Sequence, residues 1–212
     1  MNQNASLRVR VYEDLKRRIL MNEVKQGEYL EEKALCEAYG VSRTPVREAM
    51  SLLEKEELIR IYPNKGAFVT ELSIQAVKEL FQVRHLLEPL AWKLAFPQLD
   101  LSELKRYRDE TSKALERKDY PQLHELDYEF HNYVHHLCNN KYLIQYLSLT
   151  ADKFQMVRTQ PFYTVKRTEG GAHEHIQLIN LVIEGKEEEA LALLTQHIAN
   201  TERYYFSSLI GS

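Results

Sequence analysis

The 212-residue chain carries 44% hydrophobic and 28% charged residues, with a formal net charge of −3. That is the composition of a globular protein with real cores, in one large or two modest domains, and it excludes collagen-like, low-complexity and disulfide-scaffold chains. No apolar run is long enough to cross a membrane and no signal-peptide pattern opens the chain, so a cytoplasmic protein with no membrane partner is expected, its Cys36 and Cys138 reduced.

Residues 1–6 are polar and are expected to be disordered. Residues 7–21 read as a helix with the apolar stripe Val11, Leu15, Ile19 and Leu20; Arg8, Arg10, Lys16, Arg17 and Arg18 crowd it. Residues 24–30, with Gly27, read as a loop. A short helix follows over 32–39. Gly40 then stands where a left-handed cap is needed, followed by Val41 and the N-cap residue Ser42. At 100° per residue, Val46, Ala49 and Leu53 gather on one side of the next helix, and Arg43, Thr44, Arg47 and Ser51 on the other. Such a polar face is by itself usually a solvated surface. The helix, Gly-containing turn and second helix around it are a helix-turn-helix pattern, and arginines and hydroxyls suit base edges and phosphates. Residues 58–62 and 67–70 flank Pro63-Asn64-Lys65-Gly66 and read as a hairpin, a wing with Lys65 at its tip. Residues 1–72 hold twelve Lys and Arg against twelve Asp and Glu, so DNA binding would rest on how charge is distributed.

Ser73 is expected to cap the first helix of a second domain, giving domains 1–72 and 73–212. Helices are predicted over 73–95, interrupted and kinked at Pro89, and over 102–118, 121–138, 141–158, 172–184 and 186–206, with Pro161 ending the fourth and Gly170-Gly171 breaking the chain before the fifth. Six helices with short connections predict a bundle, so the fold class is mainly α: a winged helix-turn-helix followed by an all-helical domain. Asp127 and His131 share one face at i, i+4, and His175 and His197 lie on later helices. One Asp and several His from separate helices could converge on a metal; equally, a buried His is more often a hydrogen-bonded core residue.

The run Val41-Ser42-Arg43-Thr44-Pro45-Val46-Arg47-Glu48-Ala49, with Pro63-Asn64-Lys65-Gly66-Ala67-Phe68-Val69 downstream, resembles the winged-helix domain of the GntR family of bacterial transcription regulators, over about residues 7–70. The resemblance implies operator contacts from Lys33, Arg43, Thr44, Arg47 and the wing turn Asn64, Lys65 and Gly66, and we include Ser42 in the candidate set. Arg43 and Arg47 are expected to read bases, Lys33 and Lys65 to sit on phosphate. Two departures stand out. Lys33 replaces a frequent Arg, which turns a bidentate contact into a point charge. Glu57 stands where Gly is common before the wing, which narrows the permitted backbone.

Asp127-Tyr128-Glu129-Phe130-His131, then Glu174-His175 and Gln196-His197, resemble the FCD ligand-binding domain of the FadR-type branch of that family, in its shorter, six-helix, VanR-like form, over about residues 73–207. This second resemblance implies a divalent metal (Zn, Ni or Mn) held by Asp127, His131, His175 and His197, with His124, His135, His136 and His173 at the surface or in supporting positions. It also implies a small organic acid whose carboxylate completes the coordination, with Arg84 and Arg158 as candidate effector-binding residues. Arg84 could instead pair with Glu88 at i+4. The expected protein is a homodimeric, ligand-responsive regulator of transcription in which effector and metal alter the spacing of two recognition helices. A metal-dependent enzyme acting on small organic acids, with a fused DNA-binding domain, is the alternative. A constitutive dimer with structural histidines is a third reading.

Overall fold

The structure, a computed structural model, describes residues 3–160 and 165–210. Pro161, the expected stop of the helix over 141–158, lies outside the described residues, as do Met1 and Asn2. The chain divides into two compact units, Met1–Ser73 and Ile74–Ser212.

The first unit contains α1 (Gln3–Leu20), β1 (Tyr29–Leu30), α2 (Glu32–Tyr39), α3 (Arg43–Lys55), β2 (Ile59–Tyr62) and β3 (Gly66–Val69). Helix α1 starts at Gln3, inside the stretch expected to be disordered. No Gly or Pro separates those polar residues from the apolar stripe, so the helix propagates backwards through them. Val11, Leu15 and Ile19 pack with Val46, Ala49 and Leu53 of α3, all at most 2% exposed. This burial is what holds the recognition helix, because its own face toward solvent is polar.

Gly40 ends α2 in the left-handed region at φ 65°, and its N–H reaches the carbonyls of Cys36 and Glu37. Ser42 takes the extended N-cap conformation, but its side chain makes no capping hydrogen bond. Among the described residues the sheet has three strands in the order β1-β3-β2, all antiparallel, with Tyr29 opposite Phe68 and Tyr62 opposite Gly66. Strand β1 lies in the segment read as a loop, and two residues are too few to show a period of two. Tyr29 and Tyr62 both lie against Phe68, with ring centroids at 5.2 and 6.0 Å. Gly66 has φ 95°, and a Cβ there would come within 2.4 Å of the Tyr29 ring, so any other residue at this turn would be strained. Glu57, just before the wing, also sits in the left-handed region at φ 57°.

Among the described residues the second unit has six α-helices: α4 (Ile74–Ala95), α5 (Leu101–Arg117), α6 (Tyr120–Leu137), α7 (Lys141–Arg158), α8 (Val165–Ile183) and α9 (Glu187–Ile210). Asp100, Asp119 and Asn140 cap α5, α6 and α7 by accepting from backbone N–H groups. Helix α4 continues through Pro89. Helix α8 begins at Val165 and runs through Gly170 and Gly171, which correct the predicted break there. Two glycines disfavour a helix by roughly 1 kcal/mol each. Here Thr168, Gly171, Ala172, His175 and Ile179 form one buried stripe, and burial outweighs that preference. The bundle core is aromatic: Phe81, Trp92, Phe130 and Phe154 are each at most 2% exposed, with Trp92 edge-on to Phe130 at 5.6 Å.

Candidate functional site

In the first unit, Arg43, Thr44, Arg47 and Ser51 stand exposed on α3, opposite the buried Val46, Ala49 and Leu53. Ser42 is exposed at the start of that helix, and Lys33 is exposed on α2. Asn64 and Lys65 are exposed at the wing turn, where the Lys65 N–H closes the turn onto the Tyr62 carbonyl at 3.1 Å and Asn64 has φ 61°. One participant had no signal in the sequence. Glu32, at the start of α2, accepts a hydrogen bond from Arg47 Nε at 2.7 Å and lies 3.6 Å from Arg43 Nε. A single carboxylate therefore ties together both arginines of the exposed face. Its neighbour Lys33 lies 3.8 Å from Glu37.

In the second unit, Asp127 and His131 project from α6, His175 from α8 and His197 from α9. One ligand atom of each lies within 4.8 Å of the others. His131 Nε2 and His175 Nε2 are 3.2 Å apart, and His175 Nε2 is 3.6 Å from Asp127 Oδ1. The three imidazoles are 2–3% exposed. Burial first, and then the neighbouring histidines and arginines, hold His175 and His197 well below the ordinary imidazole range, so both are neutral and carry lone pairs at physiological pH.

The residues fit a divalent ion on chemical grounds. His197 Nε2 is buried and has no hydrogen-bond partner among the described residues. Where His131 Nε2 faces His175 Nε2, at most one neutral ring can donate to the other. Three imidazole nitrogens and a carboxylate are a donor set suited to zinc, nickel or manganese. Asp127 also pairs with Arg158.

The two candidate effector arginines lie beside this cluster. Arg84 and Arg158 both stack on Phe154, at 3.9 and 4.7 Å from the ring centroid, and both line a small cavity with Tyr128, His131 and His135. Arg84 donates to Glu88 through Nε at 2.5 Å and Nη2 at 3.2 Å, the i+4 pairing that competes with an effector role, while its Nη1 is buried without a hydrogen-bond partner among the described residues. Burial alone would raise the Glu88 carboxyl, but Arg84 and His131 hold it well below the usual range. A second cavity is lined by His124, Asp127, Arg158, Arg167 and His175.

Of the other histidines, His124 is partly buried. His136 and His173 are exposed, whereas His135 is 1% exposed, with both ring nitrogens lacking a hydrogen-bond partner among the described residues, and burial pushes it down to about 3. Sequence spacing alone does not separate His135 from His136, because only packing decides which faces the bundle interior.

Comparison with known proteins covers both units. The family model "Bacterial regulatory proteins, gntR family" matches residues 7–69, and the FCD domain model matches residues 79–200. The HTH-type transcriptional regulator YdhC of Bacillus subtilis (strain 168) is 30% identical over 190 residues, 88% of this chain and 85% of that protein. The HTH-type transcriptional repressor RspR of Escherichia coli (strain K12) is 26% identical over 204 residues, 93% of this chain and 88% of that protein. The solved structure of E. coli McbR/YncC matches with a TM-score of 0.85 at 21% identity, over 99% of this chain and 100% of that one, a likeness of fold.

Proposed function

We propose that this chain, which belongs to the gntR family of bacterial regulatory proteins and carries an FCD domain, is a DNA-binding transcription regulator governed by a divalent metal and a small carboxylic acid. Family membership comes with both domains and DNA binding with the first; the metal and the acid are our reading. One observation carries it: Asp127, His131, His175 and His197, from three helices, bring ligand atoms within 4.8 Å of one another in a buried setting. A divalent ion held there supplies positive charge and open coordination positions to an incoming carboxylate. Arg84, whose buried Nη1 has no hydrogen-bond partner among the described residues, and Arg158 are the residues we assign to that carboxylate.

On the DNA side we assign base readout to Arg43 and Arg47. Lys33, Ser42, Thr44, Asn64, Lys65 and Gly66 position the domain on the sugar-phosphate backbone. The working form in this reading is a homodimer. Leu86, Leu90 and Leu94 make an exposed i, i+4, i+8 stripe on α4. Tyr142 and Tyr146 are exposed on α7, which packs against α4. A second copy covering these side chains would remove them from water. We read the protein as cytoplasmic, and among the described residues no helix is long and apolar enough to cross a membrane.

A non-catalytic role fits the carboxylates that touch the cluster's histidines. Glu88 and Glu174 are each ion-paired with an arginine, and the Glu88 carboxyl, held well below the usual range, is a poor general base. The test is elemental analysis of the purified protein with His131→Ala and His197→Ala alongside. About one metal per chain, lost in both variants, is expected. A wild-type protein that stays metal-free after reloading removes the metal and acid from this reading and leaves DNA binding in place.

A further inference from the structure

We propose that Glu174 is a positioning residue of the metal centre: it fixes the tautomer of His197 so that Nε2 is the nitrogen presented to the ion. The inference rests on the metal reading above. Glu174 lies on α8, next to the ligand His175, and reaches across to α9. Its Oε2 is 2.6 Å from His197 Nδ1. Arg167 grips both carboxylate oxygens, at 3.2 Å to Oε1 and 2.6 Å to Oε2, and Asn200 Nδ2 donates to Oε1 at 2.8 Å. Arg167 is held in turn by donating to Thr201 Oγ1 at 2.8 Å.

The donors and acceptors leave one consistent assignment. A guanidinium only donates and an ionised carboxylate only accepts. Arg167 donates to both oxygens and Asn200 to Oε1, so Glu174 stands as the acceptor in each of these contacts. A 2.6 Å contact to His197 Nδ1 therefore requires Nδ1 to carry the hydrogen. Arg167 Nη2 also approaches Nδ1, at 3.5 Å, and would favour a bare Nδ1; that contact is too long to compete with a charge-assisted bond at 2.6 Å. With the proton on Nδ1, the lone pair is on Nε2, the buried atom without a partner among the described residues. Glu88 stands in a similar relation to His131, with Oε2 at 3.4 Å from Nδ1 and Arg84 behind it, but only the Glu174 contact is short enough to settle a tautomer.

The experiment titrates full-length wild-type protein and Glu174→Gln with zinc against a competing chelator. It also records nitrogen-15 histidine spectra of both in their metal-free forms, with the His197 signals assigned by the loss they suffer in His197→Ala. We expect a single Nδ1–H tautomer at His197 in the wild type, and in Glu174→Gln a mixture of tautomers with a zinc Kd about 10–100-fold weaker. Asn200→Ala, which removes one support of Glu174 without touching His197, should weaken zinc less and keep the tautomer. A Glu174→Gln Kd within threefold of wild type, or an Nε2–H tautomer in the wild type, overturns the proposal. If the wild type binds no zinc, the metal reading fails, and the tautomer measurement still decides whether Glu174 orients His197.

Discussion

The contact between Glu32 and the two arginines of α3 yields a prediction that can be worked through in charges. Lys33, Arg43, Arg47 and Lys65 are the four cations we assign to DNA, and Glu32 places one negative charge among them, 2.7 Å from Arg47 Nε. When the arginines move to DNA, Glu32 must either stay paired with one of them or take up a counterion, so either way the net release of counterions falls by about one per domain. Glu32→Gln removes that charge while keeping the side-chain shape. Each neutralised phosphate contributes about −0.9 to the slope of log Kobs against log salt, so the variant slope should steepen by about 0.9 per domain and about 1.8 per dimer. Over a fourfold rise in salt, such as 50 to 200 mM, this is an extra loss of about twelvefold in affinity. Non-specific affinity at the low-salt end should accordingly exceed that of wild type, with less discrimination between operator and other sequences. The assay is fluorescence anisotropy on a random-sequence duplex across that salt range. Lys65→Ala serves as a comparison of opposite sign, with a shallower slope. Superimposable wild-type and Glu32→Gln slopes would refute the idea that Glu32 neutralises this face.

Three further outcomes follow from particular residues. Arg47→Ala should lose selectivity for operator over random DNA, while Lys65→Ala should weaken both about equally, as a binding titration on the two duplexes will read. Glu57→Gly should stabilise the first unit: the left-handed region disfavours a side chain by roughly 1–2 kcal/mol, from which glycine's extra unfolded freedom subtracts roughly 0.5–1 kcal/mol. The net is about 0.75 kcal/mol, so thermal unfolding of the first unit should rise by about 3–6 °C, and a fall would mean that the Glu57 side chain makes contacts worth more than the strain. Zinc at about a hundred times its Kd should raise wild-type stability by about 2.7 kcal/mol in thermal or denaturant unfolding, and should leave His197→Ala unmoved.

Much of the architecture is legible in the chain because its signals are local. The stripe Val46, Ala49 and Leu53, the left-handed Gly40, and the turn Asn64-Lys65-Gly66 between two β-prone runs each depend on residues a few positions apart. The same locality explains the misreadings. Gly170 and Gly171 are poor helix residues on any local scale, and the buried stripe of Thr168, Gly171, Ala172 and His175 keeps α8 whole. Tyr29 and Leu30 pair with a strand some forty residues away, and no local pattern announces a partner at that distance.

The candidate sites divide along the same line. Spacing alone puts Asp127 and His131 on one helix face and puts Arg43 and Arg47 on another, since i, i+4 neighbours share a face whatever surrounds them. The tertiary structure decided that His175 and His197 meet that first pair, that His135 turns inward while His136 does not, that Glu32 of α2 stands against arginines of α3, and that Glu174 of α8 stands against His197 of α9. Which buried polar atom finds which partner depends on how helices distant in sequence pack, because an unpaired donor or acceptor inside a core is costly and the packing alone determines what lies within hydrogen-bond reach.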